Sequence, residues 1–336
     1  MKKILVCGAG GFIGGHLVTH FKKKENTKII CADIKPKNFW FQFDDNLENH
    51  CLDLKDYDNT LKVTQNVDYI FNFACNMGGM GFIENNKAEC MLSVLVNTNL
   101  LRAAKENNCE KYFFSSSACV YNASKQKNSF ISGLKEKDAY PADPEDGYGW
   151  EKLFSERMCR HFTEDFGLET RIARYHNIYG PLGTFDGGRE KAPAALCRKI
   201  INAKKNNLKS IDVWGDGEQT RSFLYIDDCI KGTLDVFNHS EQDIFNIGSE
   251  EQVSINQMIE IIEEIADFKV NKNYQLDKPK GVRGRSSDNT YVTKKIGWKS
   301  ENTLKEGLTK TYKWIEEQIN SGSNIDRFCR SLIDNK

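Results

Sequence analysis

The chain lacks a surplus of charge of either sign: 47 lysines and arginines balance 47 aspartates and glutamates, for a formal net charge of zero. No global field draws it toward nucleic acid or an anionic membrane, although a local anion site stays open. It also lacks any apolar run of about 18 residues, the length that marks a membrane span. The start, Met1-Lys2-Lys3-Ile4-Leu5-Val6-Cys7, looks like the opening of a secretion signal but reaches glycine at Gly8, too early for one. Eleven cysteines contain no C-x-x-C pair and six histidines no H-E-x-x-H, which argues against zinc, a bound metal or a disulfide framework. An odd number of scattered thiols fits a reduced, cytoplasmic protein. There is no low-complexity tract, and 39% hydrophobic with 28% charged residues is an ordinary globular composition. At 336 residues the chain exceeds a usual single core, so one large α/β unit with an appended lobe is expected.

What is present begins at once. Lys3-Ile4-Leu5-Val6-Cys7 reads as a buried strand, Gly8-Ala9-Gly10-Gly11-Phe12-Ile13-Gly14 as a glycine turn, and the stretch to Lys24 as a helix. Glycines at Gly8, Gly11 and Gly14 allow a tight turn, backbone approach to a pyrophosphate, and close helix–sheet packing. Lys28-Ile29-Ile30-Cys31-Ala32 is a second strand ending at Asp33, about twenty residues after the turn. A carboxylate there accepts ribose hydroxyls and repels a 2′-phosphate, favouring NAD over NADP, a preference that Lys35 and Lys37 temper. Asp53 follows a third strand and suits either the adenine edge or a solvated loop. Further strands at Asp68–Ala74 and Lys111–Ser115, separated by a helical stretch around Ala88–Asn107, predict a Rossmann-type, doubly wound parallel sheet. The loops Ala74–Gly81 and Ser115–Tyr121 would then face one cleft at its carboxyl edge. The expected division is a dinucleotide-binding part over 1–175 and a smaller substrate lobe over 176–336, with Phe245-Asn246-Ile247-Gly248 returning to the sheet. The helix-like Ile255–Ile265 is structural, and the tail after Trp314 shows no identifiable chemistry.

Tyr148 and Lys152 stand one helical turn apart, so a helix after Asp146-Gly147 would project both from one face. An ammonium beside a phenol favours the phenolate, and Ser117 can bond the reacting oxygen. Cys119, in Ser115-Ser116-Ser117-Ala118-Cys119-Val120-Tyr121, would by itself be read as a core thiol. Its place at a serine-rich strand end before the Tyr–Lys pair reverses that reading. Arg283 and Arg285, separated by one glycine, suit a diphosphate.

These features resemble the extended short-chain dehydrogenase/reductase family, the NAD-dependent epimerases and dehydratases, over nearly the whole chain. Arg174-Tyr175-His176-Asn177-Ile178-Tyr179-Gly180-Pro181 and the run Trp214–Asp228 add to the match. Within the family, Asn76-Met77-Gly78-Gly79-Met80-Gly81, Gly187-Gly188-Arg189-Glu190-Lys191-Ala192-Pro193 and Gly281-Val282-Arg283-Gly284-Arg285 resemble a branch that epimerises GDP-sugars. The resemblance implies acid/base roles for Cys119 and Lys191 and redox roles for Tyr148 and Lys152 with Ser117. It places NAD against Gly8, Gly11, Phe12, Ile13, Asp33, Asp53, Ala74, Tyr148 and Lys152. It implies sugar and nucleotide contacts from Met77, Gly78, Ser117 and Asn177, from Glu190, Lys191, Ala192 and Lys199, and from Gln219, Thr220, Arg221 and Arg285. A homodimer is expected on the same ground.

The chemistry explains those residue types. Protons on C3 and C5 of a hexose are inert until C4 is a ketone, when the carbanion becomes an enolate. Transient oxidation at C4 by Tyr148 and NAD therefore prepares the sugar. Inversion then needs groups on opposite faces, and a thiolate base with an ammonium acid suits it if the site draws both pKa values toward neutrality. A 4,6-dehydratase would typically carry an Asp-Glu pair where Ala118-Cys119 stands, and a 4-epimerase would leave Cys119 and Lys191 idle. An epimerase or 4-dehydrogenase for another GDP-sugar, and a catalytically silent NAD-binding regulator, remain as alternatives.

Overall fold

Seven parallel strands organise the molecule, a computed structural model that describes residues 1–322. They are β1 (Lys2–Cys7), β2 (Thr27–Asp33), β3 (Glu48–Cys51), β4 (Tyr69–Asn72), β5 (Lys111–Ser117), β6 (Glu169–Tyr175) and the later strand Ile244–Ile247. Their spatial order is Ile244–Ile247, β6, β5, β4, β1, β2, β3. Ile4 and Val6 of β1 enter one core and Leu5 and Cys7 the other, because successive strand side chains alternate between faces and both faces are covered. The chain reverses its direction of travel across the sheet between β1 and β4. The carboxyl ends there form the crevice where ligands bind in such folds.

Two expected elements differ in extent. The first helix, α1, spans Phe12–Phe21 and is capped at Lys22, short of Lys24. The stretch 88–107 is two helices, Lys87–Met91 and Ser93–Glu106; Leu92 joins them, and a tightened bond from Leu95 N–H to its carbonyl interrupts the regular ladder. Ile244–Ile247 pairs parallel with β6 at the edge of the sheet.

Beyond β6, Thr220–Ser222 pairs antiparallel with Gln252–Ser254 and parallel with the two-residue strand Gly284–Arg285. That pairing carries residue 285 back to the sheet's carboxyl edge. The helix Ile255–Ala266 buries Met258, Ile259 and Ile262, a structural role. Trp314 lies in the helix Leu304–Asn320 and packs edge-on against Phe41 and Phe185. Cys329 and the rest of the tail past residue 322 fall outside the described residues. Among the described residues no helix is long and apolar enough to cross a membrane.

Candidate active site

The glycine turn is built for close approach. Gly8 has φ +80°, and a Cβ on Gly14 would stand 2.2 Å from the Gly8 carbonyl oxygen, so α1 starts hard against the end of β1. Gly11, the N-cap of α1, brings no side chain to its first turn, which begins with Phe12 and Ile13. Asp33 ends β2; its carboxylate accepts the Gly10 amide at 2.9 Å and the Lys35 amide at 2.8 Å. Burial lifts it above the usual carboxylate range against those bonds and the Lys35 charge. The Lys35 ammonium donates to the Gly10 carbonyl at 2.8 Å. Ala74 follows β4 directly against Gly8. Asp53 turns instead to Lys55, accepting its amide at 2.8 Å in a half-exposed loop.

Ser117, Cys119, Tyr148, Lys152 and Lys191 converge on the carboxyl edge of β5. Ser117 ends that strand, and its hydroxyl accepts the Cys119 amide at 3.2 Å, fixing the tight turn Ala118–Val120. The helix Asp146–Phe166 docks onto this turn: the Glu145 amide donates to the Cys119 carbonyl at 2.8 Å. Gly149 makes this possible, because a Cβ there would lie 2.4 Å from the same carbonyl oxygen. Tyr148 and Cys119 share a small buried cluster with Ile83 and Cys90, against which Cys75 and Met77 pack. Lys191 is the N-cap of the helix Ala192–Lys205, and the Gly79 amide bonds the Arg189 carbonyl at 3.0 Å. The Arg189 guanidinium, 3.8 Å over the Phe82 ring, donates to Asn76 Oδ1 and the Met77 carbonyl. The loop holding Met77 and Gly78 is thus laced to the loop that presents Lys191.

Two electrostatic points are settled by burial: the expected effect of Lys152 on Tyr148 is corrected, and the condition set on Cys119 and Lys191 is met on one side only. Lys152 lies with Nζ 5.6 Å from the Tyr148 ring centroid and 4.8 Å from that of Phe114, over ring faces. Burial, with Cys75 and Cys119 next, pushes the Tyr148 phenol well above its usual value; Ser117 pulls against this. The site also does not bring both members of the acid/base pair toward neutrality. Burial lowers the Lys191 ammonium, but burial and then the Glu145 charge push the Cys119 thiol up to about 11.

A further correction concerns the arginines. Arg283 pairs with Asp216 at 2.8 Å, whereas Arg285 is buried and offers Nη1 to Cys119 Sγ at 3.6 Å, Nη2 to Glu145 at 2.9 Å and Nε to Gln126 at 2.7 Å. They do not form one grip. The side-by-side cations are Arg221 and Arg285, register partners on adjacent short strands. Arg221 donates to the carbonyls of Thr220 and Lys280, and burial followed by the Arg285 charge brings it down to about 10. Arg221, Arg285 and Lys191 thus gather buried positive charge at the site, and Glu145 pairs with one of them.

The remaining predicted contacts are held by protein partners. Asn177 donates to the Ser222 carbonyl at 2.9 Å, Glu190 accepts from Arg198 at 3.0 Å, and Lys199 donates to the Asp212 carbonyl at 2.7 Å. The Thr220 hydroxyl bonds the Ser129 carbonyl, and Ala192 opens the helix after Lys191. Gln219 donates to the Trp214 carbonyl at 2.9 Å, while its Oε1 is buried without a hydrogen-bond partner among the described residues.

Residues 4–248 match the sequence profile of the NAD dependent epimerase/dehydratase family. The chain belongs to that family. It is 46% identical over 318 residues to GDP-mannose 3,5-epimerase 1 of Oryza sativa subsp. indica, covering 94% of this chain and 82% of the relative. It is 44% identical over 338 residues to the Arabidopsis thaliana GDP-mannose 3,5-epimerase, covering 98% and 88%. UDP-glucuronic acid 4-epimerase from Bacillus cereus, solved with UDP-glucuronic acid and NAD, aligns with a TM-score of 0.79 at 25% identity over 94% of this chain and 99% of that one. UDP-glucose 4-epimerase from Thermotoga maritima shares the fold, with a TM-score of 0.84 at 22% identity over 95% and 100%.

As a family member this epimerase/dehydratase chain uses NAD, and its residues fit the cofactor. A cradle that a Cβ on Gly14 would fill opens at the uncapped start of α1, with Asp33 at the end of the neighbouring strand. Cys75 and Glu145 also belong to the site, and no local sequence signal marks either. Cys75 follows Ala74 in the cofactor-side loop, with its thiol coupled to Tyr148 and the charges of Lys152 and Lys191. Glu145 looks like an acidic residue at a helix start, a common stabilising pattern, and only the fold reveals its burial against Arg285.

Proposed function

We propose that the protein is a GDP-mannose 3,5-epimerase, forming GDP-L-galactose and the C5 epimer GDP-L-gulose, and that it works as a cytoplasmic homodimer. One observation carries the reading beyond the family. Cys119 is near enough to act electrostatically on both the Lys191 ammonium and the Tyr148 phenol, and it packs in one buried cluster with Tyr148. A 4-epimerase needs no such pair. The extent of identity to the rice and Arabidopsis epimerases supports the same substrate.

When bound, NAD supplies the hydride acceptor and, oxidised, a positive charge. As the phenolate, which burial opposes and the charges of Lys152 and bound NAD favour, Tyr148 takes the C4 hydroxyl proton while that carbon is oxidised, with Ser117 bonding the oxygen. Lys152, nearly inaccessible to solvent, holds charge against the ring. With C4 a ketone, Cys119 and Lys191 exchange protons with C5 and then C3 from opposite faces, and C4 is reduced again. Arg221 and Arg285 offset the negative charge of enolate and diphosphate. Burial of the cluster excludes water that would scramble protons.

The test is turnover: the NAD-loaded protein is incubated with GDP-mannose or UDP-glucose, and the nucleotide sugars are separated and assigned. Conversion of GDP-mannose alone to L-configured products supports the proposal. Conversion of UDP-glucose to its C4 epimer, with GDP-mannose untouched, contradicts it.

A further inference from the structure

Lys191 enters the site from a loop whose upstream part is open to solvent. Gly187 and Gly188 are exposed, at φ +89° and +85°, and a Cβ on Gly188 would meet nothing within 4 Å. Downstream the lysine is anchored as the N-cap of the helix Ala192–Lys205, its carbonyl accepting the Ala195 amide at 3.0 Å. Arg198 of that helix holds Glu190 at 3.0 Å and Asp186 at 3.4 Å, which ties the loop to its own helix.

Arg189 crosses to the opposite wall. Its guanidinium lies 3.8 Å from the Phe82 ring centroid, and Nη1 donates to Asn76 Oδ1 at 2.9 Å and to the Met77 carbonyl at 3.2 Å. Its own carbonyl accepts the Gly79 amide at 3.0 Å. A Cβ on Gly79 would stand 2.4 Å from the Glu190 carbonyl oxygen, so the two loops touch backbone to backbone. Gly79 caps the short helix Met80–Asn85, whose Ile83 is buried in one cluster with Cys90, Cys119 and Tyr148; Met77 and Phe82 pack against that cluster. One side chain therefore joins the loop carrying Lys191 to the wall that holds the reacting thiol and phenol.

We infer that Arg189 is a positioning residue that sets the Lys191 amine at its working distance from Cys119 and Tyr148, by clamping residues 76–82 to the Lys191 loop. The role rests on the proposed reaction, in which Lys191 moves protons at C5 and C3. Oxidation at C4 uses Tyr148 and Lys152 on the helix Asp146–Phe166 and Ser117 at the end of β5, which the clamp does not carry. Shape matters here as well as charge. A planar guanidinium stacks on a ring while one edge nitrogen reaches two acceptors, whereas an ammonium is a compact, strongly hydrated charge that cannot do both. Glycine at 79 answers the same need, because a side chain there would push the Glu190 carbonyl, and Lys191 with it, away from the cluster.

Arg189→Lys and Gly79→Ala test the clamp from its two sides in NAD-loaded protein. In each, turnover of GDP-mannose and deuterium exchange at C5 and C3 should fall by about 100-fold, the effect of displacing a reacting group by about 1 Å. Reduction of bound NAD on rapid mixing with GDP-mannose, followed by near-ultraviolet absorbance, should keep the wild-type rate, so that reduced cofactor accumulates. Without substrate, amide hydrogen exchange read by mass spectrometry should quicken in Arg189→Lys for peptides covering both 76–82 and 187–192, and stay as in wild type for β5. Equal losses of oxidation and proton transfer would make Arg189 a general prop of the fold and overturn the inference. Wild-type proton exchange in Arg189→Lys, or loosening of one loop without the other, would also overturn it. If the wild type neither reduces NAD nor exchanges protons with GDP-mannose, the proposed function falls, and hydrogen exchange in the two loops still decides the clamp.

Discussion

Replacing Glu156 by glutamine exposes how the strand end that carries Ser117 is held. Arg174 and Glu156 are each 2% exposed, and the guanidinium reaches the carboxylate through Nε at 2.8 Å and Nη2 at 2.7 Å. Nη1 takes the Glu136 carbonyl at 2.6 Å, and Ser116, the register partner of Arg174 and the neighbour of Ser117, donates to the same carboxylate. Glutamine keeps the volume but leaves a guanidinium charge buried without a counter-ion. Breaking a buried pair from one side costs about 3–5 kcal/mol, far more than removing an exposed pair. At roughly 2–4 °C per kcal/mol for a large domain, the unfolding temperature should fall by on the order of 10 °C. Urea unfolding and calorimetry at fixed, saturating NAD measure it. Replacing both partners, Arg174→Met with Glu156→Leu, should recover much of the loss, because no charge is then stranded. A loss under about 1 kcal/mol for Glu156→Gln, or a double variant as weak as the single, would refute the reasoning.

Three further outcomes follow from the same geometry. His176 is fully buried, with Nε2 3.1 Å from Asn246 Oδ1, and burial lowers its pKa to about 3. The unfolded chain takes up the proton first as pH falls below about 6.5, so this contribution is intact above that pH and has shrunk by about 2 kcal/mol at pH 5. Urea midpoints at pH 7 and pH 5 should diverge less in His176→Gln than in wild type; equal divergence would remove histidine from the explanation. Gly149→Ala places a methyl 2.4 Å from the Cys119 carbonyl oxygen, so the helix start must move. Overpacking of this kind costs about 1–3 kcal/mol, and turnover should fall at least tenfold, read by denaturation and product assay; unchanged turnover would show that the contact relaxes freely. Tyr148→Phe keeps the ring packing but loses the proton acceptor, so both turnover and exchange at C3 and C5 should drop by about 100-fold or more, and exchange at the wild-type rate would show that C4 oxidation does not need the phenol.

The parts legible in the sequence are those set by neighbours in the chain. The β1–glycine–α1 unit, Asp33 at the end of β2 and the placement of Tyr148 and Lys152 on one helix rest on local periodicity and turn chemistry. So does the exit of Cys119 from a strand end into the cleft. The contacts that were not legible join distant segments. Arg285 meets Glu145 and Cys119 from 140 and 166 residues away. Only the register of Gly284–Arg285 on Thr220–Ser222 separates it from Arg283 and sets it beside Arg221. The thiol's shift was hidden for the same reason, since burial and a distant carboxylate leave no trace in the run Ser115–Tyr121.

The central claim is that C4 is oxidised and reduced in place while protons at C5 and C3 exchange with the site. Incubation of the NAD-loaded protein with GDP-mannose in heavy water, followed by NMR of the sugar, tests it directly. Deuterium at C5 and C3 of L-configured products, with the original hydrogen retained at C4, is the expected result. Products without deuterium at either carbon, or with deuterium at C4, would contradict it.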